Sequence, residues 1–242
     1  MGTLASLLLA VLCNQAIAAV VAISGNELTA LAEDTATGGD DIATFTGTST
    51  TASGSITASS GLSSNTTDYD WNELPGGQTF GFTMDHKAAA GYLSYAETYN
   101  FGLFFTPNEG LYYTLSGNYA ATGDATTYLY AYLYDVADDS FLFFNEQQSF
   151  ETNNQAFILG ETDGDDYNFL SGSLTGSLEE GRDYEFALWA YIYQETDPGT
   201  EPASARGAID LVISDIPPVP IPAAGWLFIS ALAGLGVLKR SR

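Results

Sequence analysis

The chain has few basic residues and almost no cysteine, histidine or methionine. There are six Lys plus Arg, one Cys, one His and two Met in 242 positions. Each scarcity excludes a class. A nucleic-acid binder needs a basic face, whereas 30 Asp plus Glu leave a formal charge of −24 here. One cysteine cannot build a disulfide scaffold or a thiolate metal site. One histidine excludes His-rich metal centres and would force any serine-type triad onto His86. That residue follows Asp85, but no Gly-x-Ser-x-Gly elbow exists to partner it, so His86 is expected at the surface. Phosphate loops and dinucleotide fingerprints are also absent. Aromatic residues are abundant instead: 15 Tyr, 14 Phe and 3 Trp.

The start of the chain reads as a signal peptide over residues 1–18. An apolar run at 4–12, too short for the roughly 20 residues of a membrane span, precedes Ala16-Ile17-Ala18, a small-x-small cleavage site. No Lys or Arg comes before the run, and a buried N-terminal helix is the alternative. Leu12 before Cys13 argues against a lipoprotein site, and cleavage after Ala18 leaves no cysteine.

At the other end, residues 216–222 hold four prolines in seven positions, which removes four backbone donors and predicts an extended spacer. Sixteen uncharged residues follow at 223–238, enough for a helix of about 24 Å against a hydrocarbon core of about 30 Å. Trp226 at its entry and Lys239, Arg240 and Arg242 at its exit suit the two interfaces of a transmembrane helix over 223–242. The positive-inside rule places the basic end in the cytoplasm and the preceding body outside.

Val219-Pro220-Ile221-Pro222-Ala223, the apolar stretch and the basic end together resemble the PEP-CTERM family of bacterial sorting signals. The resemblance covers about 24 residues and is to the variant with Leu at the middle of the motif, where Ile221 stands here. It implies that Pro220, Ile221 and Pro222 are recognised by an exosortase-type membrane enzyme. It also implies residence in the inner membrane until processing, then delivery to the cell surface or extracellular matrix of a Gram-negative, exopolysaccharide-making bacterium. An uncleaved tail anchor is the alternative; the basic end argues against a GPI signal.

The body between the ends holds all 30 acids and only Lys87, Arg182 and Arg206, a formal charge of −27. Such a surface stays soluble by self-repulsion, as in salt-adapted secreted proteins. Residues 19–74 form a Ser/Thr-rich part, with 17 Ser or Thr in the 33 positions 35–67; thin edge strands or weak order are the two readings. Residues 75–215 alternate in short runs separated by turn clusters, with strands expected at 78–84, 101–106, 111–117, 127–136, 141–145, 156–159, 169–178, 183–194 and 208–214. Only 85–100, with three consecutive alanines, reads as helical. The fold expected is all-β, an antiparallel β-sandwich of jelly-roll type.

Two runs carry a candidate site. Tyr128, Tyr130, Tyr132 and Tyr134 share one strand face, opposite Leu129, Ala131 and Leu133. In the 183–194 run, Trp189, Tyr191 and Tyr193 share a face with Glu185 and Ala187, opposite Phe186, Leu188, Ala190 and Ile192. If both strands join one sheet, the aromatic faces merge into a glycan platform; burial between sheets or under a loop is the competing arrangement. Asp163, Asp165 and Asp166 cluster oxygen ligands suited to Ca²⁺. Leu174 occupies the position of an EF-hand glutamate, so a solvated acidic turn is preferred, and no cofactor is expected. Asp135, Asp138 and Asp139 form a second acidic turn. With 30 acids no carboxylate pair stands out for glycoside hydrolysis.

The sequence therefore predicts an exported, non-catalytic surface or matrix protein. Its expected partners are an exosortase-type enzyme, the membrane through its C-terminal helix, and exopolysaccharide, with no nucleic acid. A secreted carbohydrate-binding module or glycan-active enzyme is the alternative, and a self-assembling surface protein a third.

Overall fold

The computed structural model describes residues 20–90, 93–153, 155–162, 167–194 and 202–218, with the side chains of 151–153 set aside. The signal peptide, the motif at 219–223, the helix over 223–242 with its basic end, and Asp163, Asp165 and Asp166 lie outside them. The described chain is all-β and forms two antiparallel sheets.

Sheet A contains β1 (Val21–Gly25), β2 (Glu27–Asp34), β3 (Gly39–Thr46), β7 (Ser94–Pro107), β9 (Asp124–Asp135), β10 (Ser140–Asn153), β12 (Tyr167–Gly172) and β14 (Tyr184–Gln194). Sheet B contains β4 (Ala52–Ser60), β5 (Ser63–Leu74), β6 (Gly77–Ala88), β8 (Leu111–Thr122), β11 (Ala156–Ile158), β13 (Thr175–Leu178) and β15 (Ala203–Ser214). The spatial order is β12-β10-β9-β14-β7-β2-β3 in sheet A and β11-β8-β15-β6-β5-β4 in sheet B. The last two strands thus sit centrally: β14 between β7 and β9, and β15 between β6 and β8. Neither sheet can be completed until residues 184–214 arrive.

Alternation decides which side chains meet. In β6, Phe80, Phe82 and Met84 are buried while Thr79, Thr83 and Asp85 face outward. Rings from the two sheets interlock, Phe82 with Phe186 at 6.0 Å and Phe80 with Phe105 at 6.1 Å between centroids. Trp71 is packed edge-on against Phe80 and against Phe45 of β3, both at 5.6 Å.

The Ser/Thr-rich segment supplies the thin edges β3 and β4, with β2 and β5 one strand further in. Side chains tie the two edges together. Ser59 N donates to Asp41 Oδ2 at 2.8 Å, and Ser60 Oγ donates to the Gly39 carbonyl at 2.5 Å. Asp34, buried at the end of β2, accepts from Ala36 N at 3.0 Å and from Leu62 N at 3.1 Å, joining the β2–β3 turn to the β4–β5 turn. Gly61 makes this close approach feasible: its φ is +55°, and a Cβ there would collide with Asp34 Oδ2. Asp34→Ala leaves two amides without their acceptor and is expected to cost about 1–3 kcal/mol, read as a lower denaturant midpoint with an unchanged m-value.

The helix expected at 85–100 is not formed. Residues up to Ala88 continue β6 and those from Ser94 start β7, with no helix among the described residues. Of the alanine run, Ala88 closes β6 facing inward, and β7 then alternates: Ala96, Thr98 and Asn100 point inward, while Tyr95 and Tyr99 point outward.

His86 is a second correction. It is fully buried in the core, not at the surface, because it lies on the same face of β6 as Phe82 and Met84. Its Nδ1 pairs with the Tyr119 hydroxyl at 2.6 Å and its Nε2 with Thr98 Oγ1 at 2.7 Å. Thr98 continues the chain to Thr67 Oγ1 at 2.6 Å, and Thr67 donates to Asn65 Oδ1 at 3.0 Å. This network crosses from sheet B to sheet A. Burial lowers the imidazole to about 3, so it is neutral, one nitrogen donating and the other accepting.

Candidate functional site

Register builds the site. β14 pairs with β9 so that Tyr191 lies opposite Tyr128, Trp189 opposite Tyr130 and Ala187 opposite Tyr132. All seven aromatic residues singled out in the sequence therefore share the outer face of sheet A, in adjacent strands. Tyr128 and Tyr191 stack at 4.8 Å, and Trp189 meets Tyr128 edge-on at 5.0 Å. Most of these rings are half-buried, by one another rather than by the opposing sheet; Tyr128 at the centre is 6% exposed.

Four further strands extend the face. On the other side of β14, β7 places Tyr95 opposite Tyr193, Glu97 opposite Tyr191 and Tyr99 opposite Trp189. Phe101 follows at 6.2 Å from Trp189. Beyond β9, β10 contributes Phe144 at 5.3 Å from Tyr130, and a bulge after Phe141 brings that ring to 5.1 Å from Tyr134. Phe169 of β12 continues the surface at 5.3 Å from Phe144. β2 adds Glu33 and Thr29 beside Tyr95 and Tyr99. The strand expected at 101–106 starts too late to include Tyr95, Glu97 and Tyr99 of β7, and the one at 141–145 stops one residue short of Glu146 of β10. The period-2 run Tyr95-x-Glu97-x-Tyr99-x-Phe101 is the signal that could have found the β7 residues.

Carboxylates are set among the rings. Tyr128 donates to Glu146 Oε1 at 3.0 Å and Tyr132 donates to Glu185 Oε1 at 2.8 Å; Tyr134 donates to Asp139. Glu97 is 8% exposed, and burial pushes its carboxyl up despite the pull of the Tyr95 hydroxyl and the Trp189 indole beside it. Trp189 Nε1–H nevertheless closes no hydrogen bond of normal geometry. Burial, reinforced by Glu97 and Glu146, raises Tyr191 to about 12, so its hydroxyl remains protonated across the physiological range.

The outer face of sheet B differs in chemistry. Thr66, Asp68, Thr83, Asp85, Asn118 and Arg206 line a hollow of about 580 Å³. Arg206 Nη2 pairs with Asp85 Oδ2 at 2.8 Å, both substantially exposed. Most of the side chains lining it are short, and Gly207 in its floor has none. It lacks aromatic walls, and its single described ion pair is already self-neutralised.

The acidic turn at Asp135, Asp138 and Asp139 is ordered by a cation of the protein itself. Arg182 reaches Asp135 at 3.2 Å, Asp138 at 2.6 Å and Glu179 at 3.2 Å. Asp135 is buried and also accepts from Ala137 N and Asp138 N. This is a tied corner rather than a solvated turn. Among the described residues, no three His, Cys, Asp or Glu side chains are placed to hold a metal ion.

No known sequence family matches the chain, nor does any curated protein. Solved structures show distant likenesses. One of infectious bursal disease virus, Gx strain, is 8% identical with a TM-score of 0.25, covering 79% of this chain and 57% of that one. A family 11 carbohydrate-binding module from Clostridium thermocellum, in complex with a β-1,3-1,4-mixed-linked tetrasaccharide, is 11% identical with a TM-score of 0.21. There, 80% of this chain and 96% of the module are covered. The chain thus spans little more than half the length of the viral chain.

Proposed function

We propose that the protein is an exported, non-catalytic β-sandwich of the cell surface or extracellular matrix, and that it binds polysaccharide through the outer aromatic face of sheet A. One observation carries the binding half of this reading: Trp189, Tyr128 and Tyr191 interlock with Tyr95, Phe101 and Tyr130 on the outside of the sandwich. A sugar ring offers apolar C–H surface and hydroxyls together, and matches a surface of rings interspersed with carboxylates. Mutual packing holds the aromatic side chains in place before a ligand arrives, which reduces the entropy lost on binding.

Export and sorting rest on the two ends of the chain. The signal-peptide pattern at 1–18 and the 219–223 motif with its apolar stretch and basic end support passage through the inner membrane and recognition by an exosortase-type enzyme. The acidic body suits an extracellular setting.

Each half has its own test. Replacing Pro220, Ile221 and Pro222 by alanine is expected to hold the protein in the inner-membrane fraction; unchanged surface delivery would reduce the tail to a plain anchor. Trp189→Ala is expected to weaken retention on the producing cell's own exopolysaccharide about tenfold, with the thermal midpoint little changed because the ring lies outside the core. Equal retention of variant and wild type would refute the platform.

A further inference from the structure

The geometry points to a charge preference at this face: resting on the platform reading above, it assigns the ligand as a polysaccharide with free, protonated amino groups, an amino-sugar polymer engaged at Glu97.

The argument starts from where the cations are. Lys87 and Arg206 stand on the outer face of sheet B, and Arg182 is occupied by Asp135, Asp138 and Glu179. Among the described residues, therefore, no Lys or Arg lies on the aromatic face. That face nonetheless carries Glu97, Glu146 and Glu185. An acidic glycan meets uncompensated repulsion here, and a second copy of this chain would bring the same carboxylates against themselves. An ammonium group gains from both the rings and the acids.

Glu97 is the most specific of these groups. A carboxylate more than nine-tenths buried ordinarily has a cationic partner, and this one has none among the described residues. Around it stand Tyr95, Tyr191 and Trp189, with 5.4 Å between the first two ring centroids and 5.7 Å between the last two. Rings beside a carboxylate form a cation-binding arrangement, because the negative faces of the rings and the acid act in the same sense.

The occupant is a chain rather than a small amine because the acids repeat across the sheet. Glu97 on β7 and Glu146 on β10 are three strand spacings apart, about 14 Å, with Tyr128 and Tyr191 between them. Glu185 lies further along β14, beside the Tyr132 hydroxyl. A polymer with an amine on successive residues can meet these acids while its rings lie on the aromatic surface between them.

The test is calorimetric titration of the full exported protein at about pH 6, where ordinary carboxylates are ionised, repeated at about pH 7 because burial lifts Glu97 above the ordinary value. Three oligosaccharides of equal length are compared: glucosamine oligomers with free amines, their N-acetylated counterparts, and uronate oligomers. Free-amine oligomers are expected to bind at least about tenfold tighter than the acetylated ones, an advantage that shrinks as salt is raised, and uronates not at all. Glu97→Gln should remove most of the free-amine advantage and leave the acetylated affinity unchanged. Asp68→Asn removes one charge from sheet B and should change neither; an equal loss in both variants would reveal mere attraction to a polyanion and overturn the assignment. Equal or tighter binding of acetylated or uronate oligomers would overturn it too, while leaving the platform in place. If no oligosaccharide binds at all, the platform reading itself fails. Dimerisation that Trp189→Ala abolishes would instead give the face to a second copy.

Discussion

Acid is expected to destabilise this protein through His86, by about 4 kcal/mol between neutral pH and pH 3. The sign follows from proton binding. The unfolded imidazole has its ordinary value of 6.5, whereas burial holds the folded one near 3. Between these values the unfolded state binds a proton that the folded state refuses, so stability falls as pH falls. Protonation would also break the network, because both ring nitrogens would become donors where Tyr119 and Thr98 now complement one donor and one acceptor. Two carboxyls oppose the trend. Burial raises both Glu97 and Asp210, which favours the folded state as they protonate, and acidification also relieves the charge repulsion of the body. The His86 contribution is therefore isolated by difference. Denaturant unfolding of wild type and His86→Gln across this pH range should show a stability gap that narrows, or reverses, by about 4 kcal/mol toward pH 3. A gap that stays constant would mean that the imidazole titrates normally in the fold.

Trp71→Ala is expected to cost about 3–5 kcal/mol, among the largest effects of any single truncation in this core. Trp71 is fully buried and touches rings from three directions: Phe45 of sheet A, and Phe80 and Phe82 of its neighbouring strand in sheet B. Its removal leaves a cavity beside Phe45, near the β3 edge of sheet A. Trp71→Phe should cost far less, under about 1.5 kcal/mol, since it keeps an aromatic ring and removes an Nε1–H with no hydrogen-bond partner. Equilibrium unfolding measures both. An alanine variant within about 1 kcal/mol of wild type, a value well below the range for such truncations, would place the indole outside the cooperative core.

Several elements are legible in the order of residues alone. Alternation marks the β14 run, whose Phe186, Leu188, Ala190 and Ile192 are all fully buried, and the β9 run, with Leu129, Ala131 and Leu133 inward. The all-β class follows from such runs and from turns such as Glu179-Glu180-Gly181, where Gly181 has a φ of +72°. The departures at 85–100 and at His86 share one cause. Alanine suits a helix by propensity, and a lone histidine suits a surface by composition, yet Ala88, Ala96 and His86 sit on the inward period of long strands whose neighbours cover them. His86 is recognisable as internal only with Tyr119 and Thr98 in view, from two other strands.

By itself the sequence determined which side chains share a face: four tyrosines along β9, and Trp189, Tyr191 and Tyr193 along β14, together with the scarcity of cations in the body. Which face would turn outward was decided by tertiary structure. Both faces of β9 are apolar, so periodicity alone cannot rank them. The opposing sheet accepts the compact leucine and alanine face into close packing, whereas tyrosine hydroxyls need water or carboxylates and find Glu146 and Glu185 on the outside. The pairing of β14 with both β7 and β9 was likewise invisible in any one run, since register is a property of strands brought together from distant parts of the chain.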